Sequence, residues 1–147
     1  AFMRVVHNCL KDNGIFLLHT IGSNTTAKTC DPWMTKYIFP NGMLPSMAQI
    51  ARVAENFFVI EDWHNIGPHY DKTLMAWNER FQQAWPRLKA NYPPRFKRMW
   101  EYFLLTCAGA FRARRIQVWQ IVMTKSGSGQ PQPVCRNTVP FPAVDNC

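Results

Sequence analysis

The stretch GIFLLHTIG, residues 14–22, decides the fold. Its four consecutive apolar residues, Ile15 to Leu18, are bounded by glycines, which is typical of a β-strand covered on both faces of a sheet. Before it, apolar residues recur at helical spacing from Phe2 to Leu10, and Gly14 is placed to end that helix. Because the chain starts inside a helix without a cap, we expect a further segment upstream of Ala1.

After the first strand, helices and strands alternate. Residues 24–44 are polar and turn-rich, which predicts a long loop. Ser46 with Gln49 fits a capping box, so we expect a helix over 46–55, followed by a second strand from Phe57 to Asp62.

The second half of the chain predicts two long helices and a last strand. Asp71 is placed to cap the first helix, within which Pro86 is expected to produce a kink or an early end. Pro93-Pro94 start the second helix, and a third strand spans Ile116 to Met123. This order indicates an α/β fold built on an open sheet.

Composition limits the classes of protein. The chain has 147 residues, 47% of them apolar and 18% charged, which is enough for one domain with a sizeable core. Five cysteines without a CxxC pair argue against both a disulfide framework and a metal site, and favour reduced thiols in a cytosolic protein. We expect domain 1–125 and, from the Ser/Gly/Pro composition, a flexible tail over 126–147.

The net charge of +8 predicts an anionic partner, either nucleic acid or a membrane surface. Two basic clusters, Arg95–Arg98 and Arg112–Arg115, bracket the last helix, and they are either solvated or in contact with phosphate headgroups. The aromatic residues recur at helical spacing, which is typical of a core. They therefore disfavour a nucleic-acid-binding module, which would stack bases on exposed aromatics.

Three places carry residues suited to chemistry. His19 lies towards the C-terminal end of the first strand, and open α/β sheets bind ligands beyond such ends; the alternative is a histidine bonded to a loop carbonyl. Trp63-His64-Asn65 follow the second strand, where packing roles are the favoured interpretation. Tyr70 can present its hydroxyl to the same crevice. Five glycines are isolated, and the pair Gly127/Gly129 follows the last strand and runs into prolines, so the strand-to-helix turn of a nucleotide-binding domain is missing.

Six runs resemble the C-terminal third of cyclopropane-fatty-acyl-phospholipid synthases, in the order and spacing of that family. They are GIFLLHTIGS (14–23), DPWMTKYIFPNGMLPS (31–46), EDWHNIGPHYDKTLMAW (61–77), ERFQQAWP (79–86), RFKRMWEYFLLTCAGAFRAR (95–114) and IQVWQ (116–120). The resemblance implies the C-terminal part of a Rossmann-like, S-adenosylmethionine-dependent methyltransferase fold. That part holds three strands with covering helices, the last strand antiparallel.

The resemblance also implies an activity and a site. The family transfers a methyl group to the cis double bond of an acyl chain in a membrane phospholipid and closes a cyclopropane ring, with a bound bicarbonate ion as base. By position, His19 contacts the bicarbonate through its ring, Ile21 through its backbone and Tyr70 through its hydroxyl. The implied location is cytoplasmic and peripheral to an anionic membrane surface, and a homodimer of the full-length enzyme stays open.

This sequence departs from the family in what it lacks. The glycine-rich methyl-donor motif and the Cys and Glu that complete the family's bicarbonate site belong to upstream segments, and Glu61 is not that Glu. We therefore expect the isolated chain to be inactive. A non-catalytic lipid-binding remnant of the same fold is the alternative.

Overall fold

A computed structural model describes residues 1–27 and 29–129, so most of the predicted tail, 130–147, lies outside the described residues. The elements in chain order are α1 (Phe2–Cys9), β1 (Ile15–Ser23), α2 (Pro32–Tyr37), α3 (Met47–Ala54), β2 (Phe58–Asn65), α4 (Gly67–Leu88), α5 (Pro94–Arg112) and β3 (Ile116–Lys125). No helix in this part of the chain is both long and apolar enough to cross a membrane.

The strands form one sheet in the order β1-β3-β2. The last strand, β3, is antiparallel to both of its neighbours, so β1 and β2 run in the same direction. This confirms the predicted α/β fold with an antiparallel last strand. A β-bulge at Ile60/Asp62 shifts the register of β2.

One face of the sheet is covered by α1 and α3. Met3, Ile50 and Ala54 from these helices are buried against Trp119, Ile121 and Met123 of β3. Gly22 of β1 is required there, since a Cβ atom at this position would collide with the indole of Trp119. The capping box predicted for α3 is present, with both hydrogen bonds between Ser46 and Gln49 formed.

The other face is covered only over part of its length. The α4–α5 hairpin packs on it through a second core cluster that includes Leu74, Phe103, Leu104, Phe111 and Val118. Beyond that hairpin the same face stays open: Ile15 and Leu17 are each 53% exposed, and Val59 is 48% exposed. The prediction that β1 is covered on both faces is therefore wrong for the described part of the chain.

Four boundaries differ from the predictions. The predicted loop 24–44 contains α2, because the Asp31 carboxylate accepts from the backbone N–H groups of Trp33 and Met34 and caps a helix there. β1 runs on to Ser23, so His19 lies in mid-strand and not at its end. Likewise β2 runs to Asn65, so His64 belongs to the strand and does not follow it.

The start of α4 also differs. The helix begins at Gly67, so Tyr70 lies in its first turn and Asp71 is not its cap. The helix continues through Pro86 and ends two residues later, at Leu88. Pro86 has no N–H to donate to the carbonyl of Gln82, so the helix lacks one backbone hydrogen bond there.

Candidate functional site

His19 belongs to a polar row that crosses all three strands. In the sheet register His19 of β1 lies opposite Gln120 of β3, and Gln120 lies opposite His64 of β2. Directly opposed residues project from the same face, so the three side chains are neighbours. His19 is exposed, whereas Gln120 and His64 are half-buried. This row lies at the border between the open part of the face and the part that the helical hairpin covers.

The contact between Gln120 and His19 bears on the protonation of the imidazole. The Gln120 Nε2 atom is 3.4 Å from His19 Nδ1, a long contact in which the amide N–H is the donor. A neutral histidine that accepts at Nδ1 carries its proton on Nε2. When Gln120 donates to Nδ1, Nε2 is the ring nitrogen of His19 that remains for another partner.

Ile21 follows two positions after His19 and so shares its face of the sheet. It lies opposite Val118, which is fully buried, and packs against the second core cluster. The hydroxyl of Thr20 donates to the Ile21 carbonyl at 3.0 Å. A carbonyl oxygen only accepts, so the backbone N–H is the group at Ile21 with which an anion can pair.

Tyr70 joins the same apolar cluster from the first turn of α4. Its ring centroid lies 5.3 Å from that of Phe111 and 6.1 Å from that of Trp77. The structure thus brings Ile21 and Tyr70 into one cluster, with His19 on the adjacent row. Among the described residues no hydrogen-bond partner takes the Tyr70 hydroxyl, which leaves it available as a donor.

A hydrogen-bonded network around the buried side chain of Gln117, named here the polar knot, sets where α4 begins. Asn65 Nδ2 donates to Gln117 Oε1 at 2.9 Å, and the Gly67 N–H donates to Asn65 Oδ1 at 2.9 Å. Gln117 is 2% exposed and donates in turn to the Arg114 carbonyl at 3.0 Å. Buried polar groups are costly unless paired, so this set of bonds specifies one geometry for the strand-to-helix corner before Tyr70.

A two-point ion pair closes the base of the helical hairpin. Arg112 Nε and Nη2 each donate to one oxygen of Asp71, both at 3.0 Å. The hydrogen bonds and the charge of Asp71 raise the pKa of the Arg112 guanidinium. Asp71 follows Tyr70 and Arg112 follows Phe111, so the pair holds together the two helices whose rings meet at the site.

Sequence reasoning missed Gln117 and Gln120. A signal was present: both interrupt an otherwise apolar strand, IQVWQIVM, and a polar side chain in a buried strand needs a partner. It missed the Asp71–Arg112 pair as well, because the two residues are 41 positions apart in sequence.

Gly22 in β1 and Gly67 after β2 do not provide a cradle for the methyl donor that the family resemblance implies. A donor cradle would leave the missing side chain of a glycine open towards a ligand. At Gly22 that space is filled by Trp119, and at Gly67 it is filled by Gln117 and Asn65. Over residues 1–27 and 29–129 no group of three acidic, histidine or cysteine side chains can hold a metal ion.

At the site His19 is exposed, whereas Ile21 and Tyr70 are half-buried. A cavity of about 820 Å³ opens elsewhere, beside the start of β1, and its lining includes Asp12 and Lys125 but none of the three predicted site residues. Cys107 packs within the second cluster, where burial raises the pKa of its thiol to about 11. It is therefore a neutral packing group near pH 7 and not a nucleophile.

Comparisons with known proteins give one consistent result. The profile of the family described as mycolic acid cyclopropane synthetase matches residues 1–121. The cyclopropane-fatty-acyl-phospholipid synthase of Escherichia coli K12 is 60% identical over 125 residues, which are 85% of this chain and 33% of that protein. The chain therefore spans about a third of the length of this relative.

Two solved structures share the fold. The cyclopropane synthase MmaA2 of Mycobacterium tuberculosis superposes with a TM-score of 0.76 at 25% identity, over 83% of this chain and 48% of that chain. The mycolic acid cyclopropane synthase CmaA1, complexed with SAH and CTAB, gives 0.75 at 27% identity over the same shares. The methyltransferase type of fold expected from the sequence is thereby confirmed.

Proposed function

Because the chain belongs to the mycolic acid cyclopropane synthetase family, we propose that it takes part in methyl transfer from S-adenosylmethionine to phospholipid acyl chains. The target is the cis double bond, and the product is a cyclopropane fatty acid. The observation that supports this proposal is that Ile21 and Tyr70 pack against one apolar cluster while His19 lies in the adjacent row of the sheet. A cytoplasmic location peripheral to an anionic membrane, and a homodimer of the full-length enzyme, belong to the same proposal.

The chemistry of an alkene explains why such a surface is useful. An alkene is a weak nucleophile, so it must be held in line with the reacting carbon and kept away from water. Methyl addition leaves a carbocation, which aromatic faces stabilise. The rings of Tyr70, Trp77 and Phe111 meet at the base of the hairpin, where the proposed acyl pocket over residues 71–115 begins.

The described residues fit a small anion. Bicarbonate, when bound, supplies the base that removes the proton before ring closure. An anion beside apolar groups is costly unless donors surround it. In the proposal, the His19 ring, the Ile21 N–H and the Tyr70 hydroxyl are three such donors.

The proposal assigns this chain one part of a larger enzyme, domain 1–125 being the C-terminal portion of the methyltransferase domain. Two observations support it. Ile15, Leu17 and Val59 leave an apolar stretch of one sheet face exposed, which is costly unless another segment covers it. Gly22 in β1 and Gly67 after β2 are closed by internal packing and so cradle no methyl donor.

The catalytic part of the proposal is tested in an assembled enzyme. This chain replaces the matching C-terminal third of the E. coli relative, and cyclopropane fatty acids formed in phospholipid vesicles are quantified by gas chromatography. His19→Ala and Tyr70→Phe are expected to lower kcat by roughly 100-fold each, the usual cost of one donor to a buried anion. His69→Ala is the matched control, because His69 is exposed one position before Tyr70. Full activity of both site variants contradicts the assignment.

Two further measurements separate the alternatives. Isothermal titration of the isolated chain with S-adenosylmethionine is expected to show no binding, and micromolar binding refutes the claim that the donor site lies elsewhere. The non-catalytic lipid-binding remnant predicts vesicle binding without any cyclopropane product, even in the assembled enzyme. Product formation there excludes it.

A further inference from the structure

The end of the α4–α5 hairpin is unusually basic. Six Lys or Arg residues and no Asp or Glu occur between Glu79 and Glu101. Five of the six fall in residues 87–98, named here the hairpin tip: the last two residues of α4, the connection, and the first residues of α5. They are Arg87, Lys89, Arg95, Lys97 and Arg98.

The charges of the tip are free to meet a partner. Arg87, Lys89, Arg95 and Arg98 are exposed. Lys97 alone has an acidic neighbour among the described residues, Glu101 at 3.7 Å. That carboxylate also accepts a hydrogen bond from Gln82, which lies on the opposite helix.

An aromatic anchor lies among these cations. Tyr92 is 42% exposed, and its ring stacks on Phe96 with a centroid distance of 4.5 Å and an interplanar angle of 22°. Phe96 stacks in turn on Trp100 at 5.8 Å and 13°. The stack gives Tyr92 a rigid base, and a tyrosine with a supported ring and a free hydroxyl is suited to the boundary between lipid headgroups and acyl chains.

The second basic cluster, at the other end of α5, is partly engaged within the fold: the Arg112 guanidinium is paired, whereas the Arg114 and Arg115 side chains are exposed. Arg112 is held by both oxygens of Asp71. The Arg114 carbonyl accepts from both Asn24 and Gln117, which ties the turn after α5 to the sheet. The two clusters are separated by about 25 Å along the helix, at 1.5 Å per residue, so the tip is the end of the hairpin that projects away from the sheet.

We propose that the hairpin tip docks on a bilayer of anionic phospholipids, with Tyr92 inserted at headgroup depth and the surrounding cations on the lipid phosphates. Charge complementarity selects this occupant: a cluster of this size without acids is attracted by several-fold per cation to an anionic leaflet. The inference deepens the proposed function by naming the surface through which the lipid is reached. Vesicle binding needs neither a methyl donor nor bicarbonate, so the docking proposal can be tested independently of the proposed catalytic activity.

The test uses the 147-residue chain and co-sedimentation with vesicles. Vesicles of phosphatidylcholine with phosphatidylglycerol are compared with vesicles of phosphatidylcholine alone. Neutralising three tip cations is expected to lower the partition coefficient on anionic vesicles by roughly 100-fold, at about five-fold per cation. The tip variant combines Arg87→Gln, Lys89→Gln and Arg95→Gln; the matched control, with the same change in net charge, combines Arg52→Gln, Arg114→Gln and Arg115→Gln.

Each outcome either supports or overturns the proposed docking surface. Loss in the tip variant with retention in the control supports the docking surface, and Tyr92→Ser is expected to lose a further several-fold at unchanged charge. Equal loss in both variants means that only net charge matters, which overturns the proposal. Binding to neutral vesicles as tight as to anionic ones overturns it too. So does tight, salt-sensitive binding of duplex DNA or single-stranded RNA without vesicle binding, which identifies a nucleic-acid surface instead.

Discussion

Replacing Gln117 by leucine is expected to loosen the corner that presents Tyr70, at a cost that follows from its contacts. The side chain makes two hydrogen bonds, at 2.9 Å to Asn65 and 3.0 Å to the Arg114 carbonyl, from a position that is 2% exposed. Each bond contributes on the order of 1 kcal/mol net. Asn65 and Arg114 are themselves exposed and regain water, so we expect the free energy of unfolding to fall by about 2 kcal/mol.

Urea unfolding followed by circular dichroism measures this loss. With a slope typical of a small domain, the midpoint is expected to fall by about 1 M. Gln120→Leu is the matched control on the same strand, because Gln120 is half-buried and makes only the 3.4 Å contact to His19. For this control the free energy of unfolding is expected to change by less than about 0.5 kcal/mol.

The hydrogen-exchange rate of the Gly67 amide measures the effect of the same substitution at the start of α4. In the wild-type chain the Gly67 N–H is bonded to Asn65 Oδ1, whose amide group is held in turn by Gln117. Once Gln117 is replaced, the Gly67 amide should exchange faster while amides in the middle of β3 keep their protection. Equal midpoints for the two leucine variants, or an unchanged Gly67 rate, would refute the role given to this knot.

Three further outcomes are expected. Gly22→Ala should lower the free energy of unfolding by about 1–3 kcal/mol, since its Cβ atom would collide with the buried indole of Trp119. Gly109 has open space around it, so Gly109→Ala should raise the free energy of unfolding by about 0.5–1 kcal/mol in the same urea assay. At pH 8, iodoacetamide should alkylate Cys107 far more slowly than the exposed Cys9, because burial raises the pKa of the Cys107 thiol to about 11. Peptide mass spectrometry measures both alkylation rates, and comparable rates would contradict this prediction. Arg112→Ala should lower the melting temperature at low salt and lose part of that effect in molar salt, since the Arg112 side chain is 66% exposed but that of Asp71 only 17%; an effect independent of salt speaks against a charge-based role.

Where local chemistry determines an element, the sequence predicted it. The capping box at Ser46 and Gln49 starts α3 as expected, and the double proline starts α5. The helix α2 was missed although its signal is local as well: Asp31 before Pro32 is a cap followed by a residue suited to the first helical position. The polar composition of residues 24–44 outweighed that signal.

Other features depend on partners that are distant in sequence. The end of β2 at Asn65 follows from pairing with β3, some fifty residues later, and from a bulge that no local pattern indicates. Asp71 is a good helix cap by residue type, yet Arg112 takes its carboxylate once the hairpin closes. The site shows the same division: position and residue type singled out His19 and Tyr70, the family resemblance added Ile21, and the partners of Gln117 and Gln120 emerge only once the sheet has formed.

The proposed half-site is organised by contacts that this chain supplies itself. His19 and Ile21 are held by the register of β1 on β3, and Tyr70 is held by the polar knot before α4 and the ion pair after it. Joining the rest of the proposed enzyme therefore does not need to build these positions. What it must supply is cover for the open sheet face at Ile15 and Leu17, whose burial would stabilise the assembly by roughly 1.5–3 kcal/mol for each side chain fully covered. On this view the driving force for assembly lies beside the site and not within it, so substitutions at His19 or Tyr70 should alter catalysis while leaving assembly unchanged.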